Sequence, residues 1–457
     1  MKRSKKIGFS LLGLAIVALS IWVATRWGKW FGNPPEAPYV TAAAPHRVLL
    51  TFGNTGALSR IVSWTAGEQL GEAFVELIDC QTYEGALCIP AAGEVFESRS
   101  GRGAYYHVPL DNLHAGHTYR YRAVTNGHSS PWHTFTVPPT SQRSKSDFAF
   151  LYFGDVQDSI GGQCSRYVMG AYAAHPEVEL AILGGDLIER PTDAYWQEGF
   201  RSLDTLAQSI PVLAVPGNHE YLKKPIRELE RRYTLSFPYF LDSKVDDNHV
   251  FSLPYRDAQF YLLDSNRELP YLLTQHDWLE SALGRSQARW NIVVMHHPVY
   301  SIKGSGNNLM QRLVFADLLN HNADLVLQGH EHAYARMTQH GENGQPLPPI
   351  YTVSHASPKH YRIEFDERFD RFGTGHAYYQ YVRIHGDTLT MRTYDAATQQ
   401  LYDDVSIVKG EHDRPTILDR AAGIAEQLDF TPQPGNKKDA AFAQRIKAYQ
   451  QQKRAKK

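Results

Sequence analysis

The sequence predicts an α/β protein, a four-layer α/β/β/α sandwich preceded by an all-β sandwich. Three observations predict it. Between residues 147 and 332, five short apolar runs alternate with helical stretches, and each stops in a cluster of Gly, Asp, Asn or His. Beyond His332 the chain turns β-rich, which supplies a second sheet and argues against a single doubly wound one. Residues 45–139 carry alternating or β-forming segments between Gly, Asn and Pro turns.

The 457 residues suffice for two or three domains, and 42% hydrophobic with 21% charged content supports a sizeable core. A net charge of −1 gives no electrostatic reason to expect a nucleic-acid partner. Nothing in the sequence sets an oligomeric state. Of three cysteines, Cys80 and Cys88 lie in one loop-like stretch. They could pair if the chain is exported, or stay ordinary thiols, with Cys164 left over.

In chain order, Lys2 to Lys6 precede an uncharged run from Ile7 to Thr25. At about 1.5 Å per residue this run is roughly long enough to cross a bilayer. Residues 1–28 are therefore expected to be a signal anchor, with the remainder outside the cytoplasm, periplasmic or extracellular. The alternative is secretion after signal cleavage, but Ala18-Leu19-Ser20 lies inside the run rather than after it. Residues 29–44 read as a linker. In residues 45–139, Trp64 on an early strand and Leu113-x-x-Gly116-x-x-Tyr119-x-Tyr121 resemble an immunoglobulin-like, fibronectin type III-like sandwich with a tyrosine corner. It carries no catalytic constellation and reads as a spacer or docking module. Residues 141–146 are a polar linker. Within 147–410, helices are expected from Thr192 to Ser209, from Thr274 onward behind a Thr-x-x-Asp start, and from Leu309 to Leu319. Residues 411–457 are polar and read as a weakly structured helical tail.

The runs end as follows. Residues 148–153 lead to Gly154-Asp155-Val156-Gln157, residues 180–183 to Gly185-Asp186, and residues 211–216 to Gly217-Asn218-His219-Glu220. Residues 291–295 lead to His296-His297, and residues 324–328 to Gly329-His330-Glu331-His332. In α/β sheets that edge is where ligands bind. Two metal ions need a bridging carboxylate, ligands on either side and an open position. Asp186 is placed to bridge. Asp155 with one motif histidine completes one ion; Asn218, His296 and the other histidine complete the second. His219 is then free to meet substrate.

The order GD…GD…GNHE…VxxH…GHxH resembles the signature of the calcineurin-like metallophosphoesterases, and with the preceding sandwich the purple acid phosphatase type, over roughly residues 40–410. The resemblance implies that Asp155, Asp186 and His332 hold one metal, and Asp186, Asn218, His296 and His330 the other. His219 would be an outer-sphere acid or phosphoryl-binding residue. Two departures matter. Glu189 stands where purple acid phosphatases carry an iron-binding tyrosine, and Gln157 stands where other members carry a histidine ligand. Gln157, Glu189, Asp158 or a water would fill the gap, and Gln157 is favoured because it lies two residues from Asp155 on the same face. The metals are then manganese, zinc or an iron–zinc pair. The implied reaction is hydrolysis of phosphomonoesters, on a small molecule or a protein, by a metal-bridging hydroxide. A phosphodiesterase and an inactive surface binding protein are the alternatives. His297, Asn307 and His355 are the further expected substrate contacts.

Overall fold

A computed structural model describes residues 2–53, 56–82, 85–139, 147–239, 245, 249–304, 306–410 and 415–455, with only the backbone of residues 2–12 and 204. The expected linker at 141–146 lies outside the described residues. The chain starts with α1 (Lys2–Phe31), one 30-residue helix. An extended strap then leads to nine strands: β1 (His46–Gly53), β2 (Gly56–Thr65), β3 (Ala73–Asp79), β4 (Leu87–Pro90), β5 (Ala92–Glu97), β6 (Arg102–Leu110), β7 (Thr118–Thr125), β8 (His128–Ser129) and β9 (His133–Thr136). They form two sheets, β1-β2-β6-β5 and β4-β3-β7-β8, with β9 on β7. Trp64, Tyr106, Tyr121 and Phe135 fill the space between them. Tyr119 Oη accepts the His114 N–H at 2.8 Å, the expected tyrosine corner.

The second unit is built on two seven-stranded sheets. Its first strands are β10 (Asp147–Phe153), β11 (Leu180–Leu183), β12 (Val212–Ala214), the short pair β13 (Tyr221–Leu222) and β14 (Glu228–Leu229), β15 (Phe251–Tyr255) and β16 (Ala258–Leu262). There follow β17 (Trp290–Val294), β18 (Leu325–Gln328), β19 (Tyr334–His340), β20 (Pro346–Val353), β21 (Arg371–Gly373), β22 (Tyr378–His385), β23 (Thr388–Asp395), β24 (Leu401–Val408) and β25 (Thr416–Asp419). One sheet runs β12-β11-β10-β22-β23-β24-β25, the other β15-β16-β17-β18-β20-β19-β21. Both faces of the central strands are covered, which is why they read as unbroken apolar runs. On β17, Ile292 and Val294 face the opposite sheet, while Val293 and the following Met295 join the outer layer. Phe150 and Phe260 meet edge to face across the sheets, 5.4 Å between centroids.

The outer layers are α2 (Ser165–Ala174) and α3 (Asp193–Ser209) on the first sheet, and α5 (Leu269–Gly284) and α6 (Leu309–Asn322) on the second. A short α4 (Arg231–Ser236) receives the first sandwich: Ser63 Oγ donates to Ser236 O at 2.7 Å, and Thr51 Oγ donates to Val212 O at 2.7 Å.

Two expectations are corrected. α5 begins at Leu269, with Pro270 in its first turn, so Thr274 is interior and bonds back to Pro270 O rather than capping. The tail is ordered: β25 extends a sheet, and α7 (Lys437–Ala455) buries Phe442 and Ile446. Tyr449 stacks on Phe365 at 4.4 Å. These three residues at i, i+4 and i+7 form a stripe that the surrounding Lys and Gln obscure. All three cysteines are free; Cys88 pairs with Glu76 in the β3–β4 ladder, leaving Cys80 four residues further along. Helix α1 runs on to Phe31, past residue 28, and among the described residues no helix is long and apolar enough to cross a membrane.

Candidate active site

The donors converge because β10, β11 and β12 run parallel in one sheet and β16, β17 and β18 run parallel in the other, so the chain leaves each at the same edge. The loops turn abruptly there. Asp155, Asp186, His330 and His332 all have left-handed backbone, with φ of 36°, 53°, 73° and 41°. Such conformations cost about 1–3 kcal/mol each in non-glycine residues and collect at functional sites. Gly329 precedes His330 because a Cβ there would overlap Asp155 Oδ2.

Asp186 occupies the centre. Its Oδ2 lies 3.3 Å from His296 Nε2 and 3.3 Å from the Gln157 amide nitrogen, and its Oδ1 accepts the His219 N–H at 2.9 Å. One ligand atom each of Asp186, His296 and His330 lies within 4.8 Å of the others. On the other side, His332 Nε2 is 3.4 Å from Asp155 Oδ1 and 2.9 Å from the Gln157 amide. The imidazoles are oriented from behind. His296 Nδ1 bonds Gly184 O at 2.8 Å and His332 Nδ1 bonds Lys359 O at 3.0 Å. A carbonyl only accepts, so each Nδ1 carries the proton and each Nε2 lone pair faces the ring.

This arrangement fits a pair of metal ions. Asp155 Oδ1, Gln157 Oε1, Asn218 Oδ1 and His296 Nε2 are buried without a hydrogen-bond partner. Orphaned buried acceptors are costly, and four in one ring are what cations satisfy. The carboxylates already draw positive charge inward. Burial lowers the His296 pKa, but Asp186 and Asp155 outweigh it and, in the ring without ions, hold it up at about 10, so that a bound cation would take the place of the Nε2 proton. His330 is pushed down to about 3 by burial and the His296 charge. Among the side chains weighed for the missing ligand, only Gln157 touches both Asp186 and His332. Asp158 is paired with Lys359 at 3.4 Å, and Glu189 is raised by burial and by a hydrogen bond to Asp158. A second cluster, Asp79, His114 and His117, lies apart on the first sandwich, with the His114 side chain 65% exposed.

His219 stands at the open side. Its Nδ1 donates to Glu189 O at 2.5 Å, and Nε2 lies 3.9 Å from Asp186 Oδ2. The three expected substrate contacts are placed elsewhere. His297 is buried against His330, with its Nδ1 3.1 Å from Ser265 Oγ, so it packs behind that ring. Asn307 closes its own loop through Lys303 O and Gly304 O. His355 is fully buried behind His332, 5.3 Å between centroids.

Two motif carboxylates were given no role by the sequence reading. Glu220 faces away from the ring and accepts N–H groups from Asp186, Leu187, Ile188 and Gly217 at 2.7–3.2 Å. It staples the loops after β11 and β12 together, and burial beside Asp186 pushes its carboxyl up to about 7. Glu331 holds the 301–308 loop through Ser301, Ile302 and Asn308. The available signal was adjacency: a residue next to a ligand must point to the other side. Glu220→Gln is expected to lower unfolding free energy by about 2–4 kcal/mol, because an amide group cannot accept from two of these donors. It should also reduce bound metal; denaturant unfolding with metal analysis checks both, and a variant equal to wild type in each removes the staple.

The calcineurin-like phosphoesterase family matches residues 148–334, and the purple acid phosphatase N-terminal domain family matches residues 45–137, the sandwich read as fibronectin type III-like. The chain therefore carries a calcineurin-like phosphoesterase domain behind a purple acid phosphatase N-terminal domain. Among its relatives is purple acid phosphatase 22 of Arabidopsis thaliana, 26% identical over 54% of this chain and 57% of that protein. Another is Fe(3+)-Zn(2+) purple acid phosphatase 12 of the same plant, 24% identical over 64% and 65%. The chain thus spans little more than half the length of the first of these. In structure it is similar to purple acid phosphatase PPD1 from yellow lupin seeds (TM-score 0.68, 17% identity, 85% of this chain and 77% of that one). It is also similar to PhoD (TM-score 0.58, 14% identity, 92% and 100%).

Proposed function

We propose that the chain is a binuclear-metal hydrolase of phosphomonoesters. The observation that carries this is the ring of Asp155, Gln157, Asp186, Asn218, His296, His330 and His332, with its orphaned buried acceptors. Asp155, Gln157, Asp186 and His332 would hold one ion, and Asp186, Asn218, His296 and His330 the other. Bound ions of manganese, zinc or iron supply a nucleophilic water and neutralise the phosphoryl charge. The protein's part is positioning. Glu220 fixes the Asp186 and Gly217 turns, and Gly184 O and Lys359 O aim the imidazoles. His219 presents Nε2 to the open side, where it protonates the leaving alkoxide or bonds a phosphoryl oxygen.

The first sandwich is a brace, fibronectin type III-like in its strand pattern. Arg47 pairs with Asp193 of α3 at 2.8 Å, and Tyr121 Oη donates to Gln208 O at 2.9 Å. α1 is proposed as an anchor that keeps the site outside the cytoplasm. Leu14, Ile16, Val17, Leu19 and Ile21 are each more than half exposed along it, an apolar surface that water does not suit. Lys2, Arg3, Lys5 and Lys6 precede this stretch.

The test is turnover of an alkyl phosphomonoester and the matching diester, with manganese, zinc or iron added back after chelation. Metal-dependent monoester hydrolysis is the expected result. Diester hydrolysis alone reassigns the chain to phosphodiesterases, and absence of both turnover and metal makes it a binding protein.

A further inference from the structure

A cavity of about 630 Å³ opens over the ring. Its floor is Asn218 and His219, and its far wall is the end of α1 and the strap, through Gly28, Lys29 and Asn33. That wall is fastened. Asn33 Nδ2 donates to Lys223 O at 3.1 Å, and Lys223 N donates to Asn33 Oδ1 at 2.7 Å. Arg99 ties Pro34 O to Pro191 O, at 2.6 and 2.8 Å. Glu36, its side chain 1% exposed, accepts from Asp193 N at 2.8 Å and from the buried Arg232 at 2.7 Å. The strap is thus held at Asn33, Pro34 and Glu36.

Three cations line this cavity: Lys29 from α1, Arg190 from the loop after Asp186, and Lys223 just beyond Glu220. All three are exposed, and among the described residues none has a carboxylate within ion-pair distance. Glu189 also lines the cavity, but burial and the neighbouring Asp158 raise its carboxyl pKa and so weaken its negative charge. A phosphoryl group held by two metal ions does not need three more positive charges. Nor does the cavity match a small alcohol; about 300–1,000 Å³ is the size of sites for much larger ligands. Unpaired cations concentrated in a cleft attract a further anion.

We infer that Lys29, Arg190 and Lys223 form a second anion subsite, selecting phosphomonoesters whose leaving alcohol carries another phosphate. This rests on the phosphomonoesterase reading. It makes the end of α1 a specificity wall of the catalytic cavity. The same chemistry comes from a soluble bisphosphate or from a phosphorylated lipid headgroup attached through a phosphodiester.

The experiment uses the full chain in detergent or vesicles, and compares wild type with the Lys29→Ala/Arg190→Ala/Lys223→Ala variant. The soluble probes are a nucleoside bisphosphate and the matching monophosphate; the lipid probe is phosphatidylinositol phosphate in phosphatidylcholine vesicles. Wild type should prefer a probe that carries the second phosphate over the monophosphate. The variant should lose about ten-fold in that preference through KM, the sum of three weak exposed pairs, and added salt should act like the variant. Loss on the bisphosphate identifies a soluble substrate, and loss confined to vesicles identifies a lipid one. Calorimetric binding of the two nucleotides separates this claim from the enzymatic reading. Weaker bisphosphate binding in the variant sustains the subsite even without turnover. Equal preference and equal binding in the two proteins overturn it.

Discussion

Asp186→Asn should lower kcat by about a thousand-fold or more and strip at least one metal ion, while leaving the chain folded. A thousand-fold is about 4 kcal/mol of barrier, an amount that loss of a charged ligand shared by two cations readily supplies. The substitution keeps shape and the acceptor to the His219 N–H, so the loop retains its fastening. It removes the charge against which His296 is set, 3.3 Å away, and leaves a neutral amide beside Gln157, itself neutral. Two ions would then face a side of the ring without negative charge apart from Asp155. Metal analysis, kcat on an alkyl phosphomonoester and thermal unfolding measure the three consequences separately. Activity within ten-fold of wild type, with both ions bound, would refute the bridging role.

That expectation could be written from the sequence, and the reason is physical. A residue at the end of a parallel strand follows an apolar run, in every case but His296 with a glycine close before it, so Asp155, Asp186, Asn218, His296, His330 and His332 announce themselves in one dimension. Gln157 also did, by standing two residues from Asp155; the structure adds that it touches both Asp186 and His332. Roles that act through backbone did not show. Glu220 and Glu331 look like additional ligands, yet each turns away to accept hydrogen bonds that tie neighbouring loops together. Asn307 and His355 looked available for substrate, but loop closure and burial claim them. Nor did the sequence reveal the cavity wall, because Asn33 and Lys223 lie 190 residues apart and neither belongs to a motif. The tail failed differently: of its large apolar side chains α7 buries Phe442, Ile446 and part of Tyr449, too sparse a stripe to register among lysines and glutamines.

His219→Ala should lower kcat by about a hundred- to ten-thousand-fold with both ions retained. Its Nδ1 proton is committed to Glu189 O, and its Nε2, 3.9 Å from Asp186 Oδ2, lies beyond hydrogen-bond reach of that ligand. The side chain is one-quarter exposed, on the floor of the cavity through which a leaving alcohol departs. The size of the loss should depend on the leaving group. If His219 protonates the departing oxygen, the defect is large for an alkyl phosphate and small for a nitrophenyl phosphate, whose phenolate leaves without a proton. If it bonds a phosphoryl oxygen instead, both substrates lose the same factor, because the phosphoryl group is identical. Comparing the two substrates on one variant therefore separates the roles, and loss of metal in that variant would make His219 a ligand and displace both.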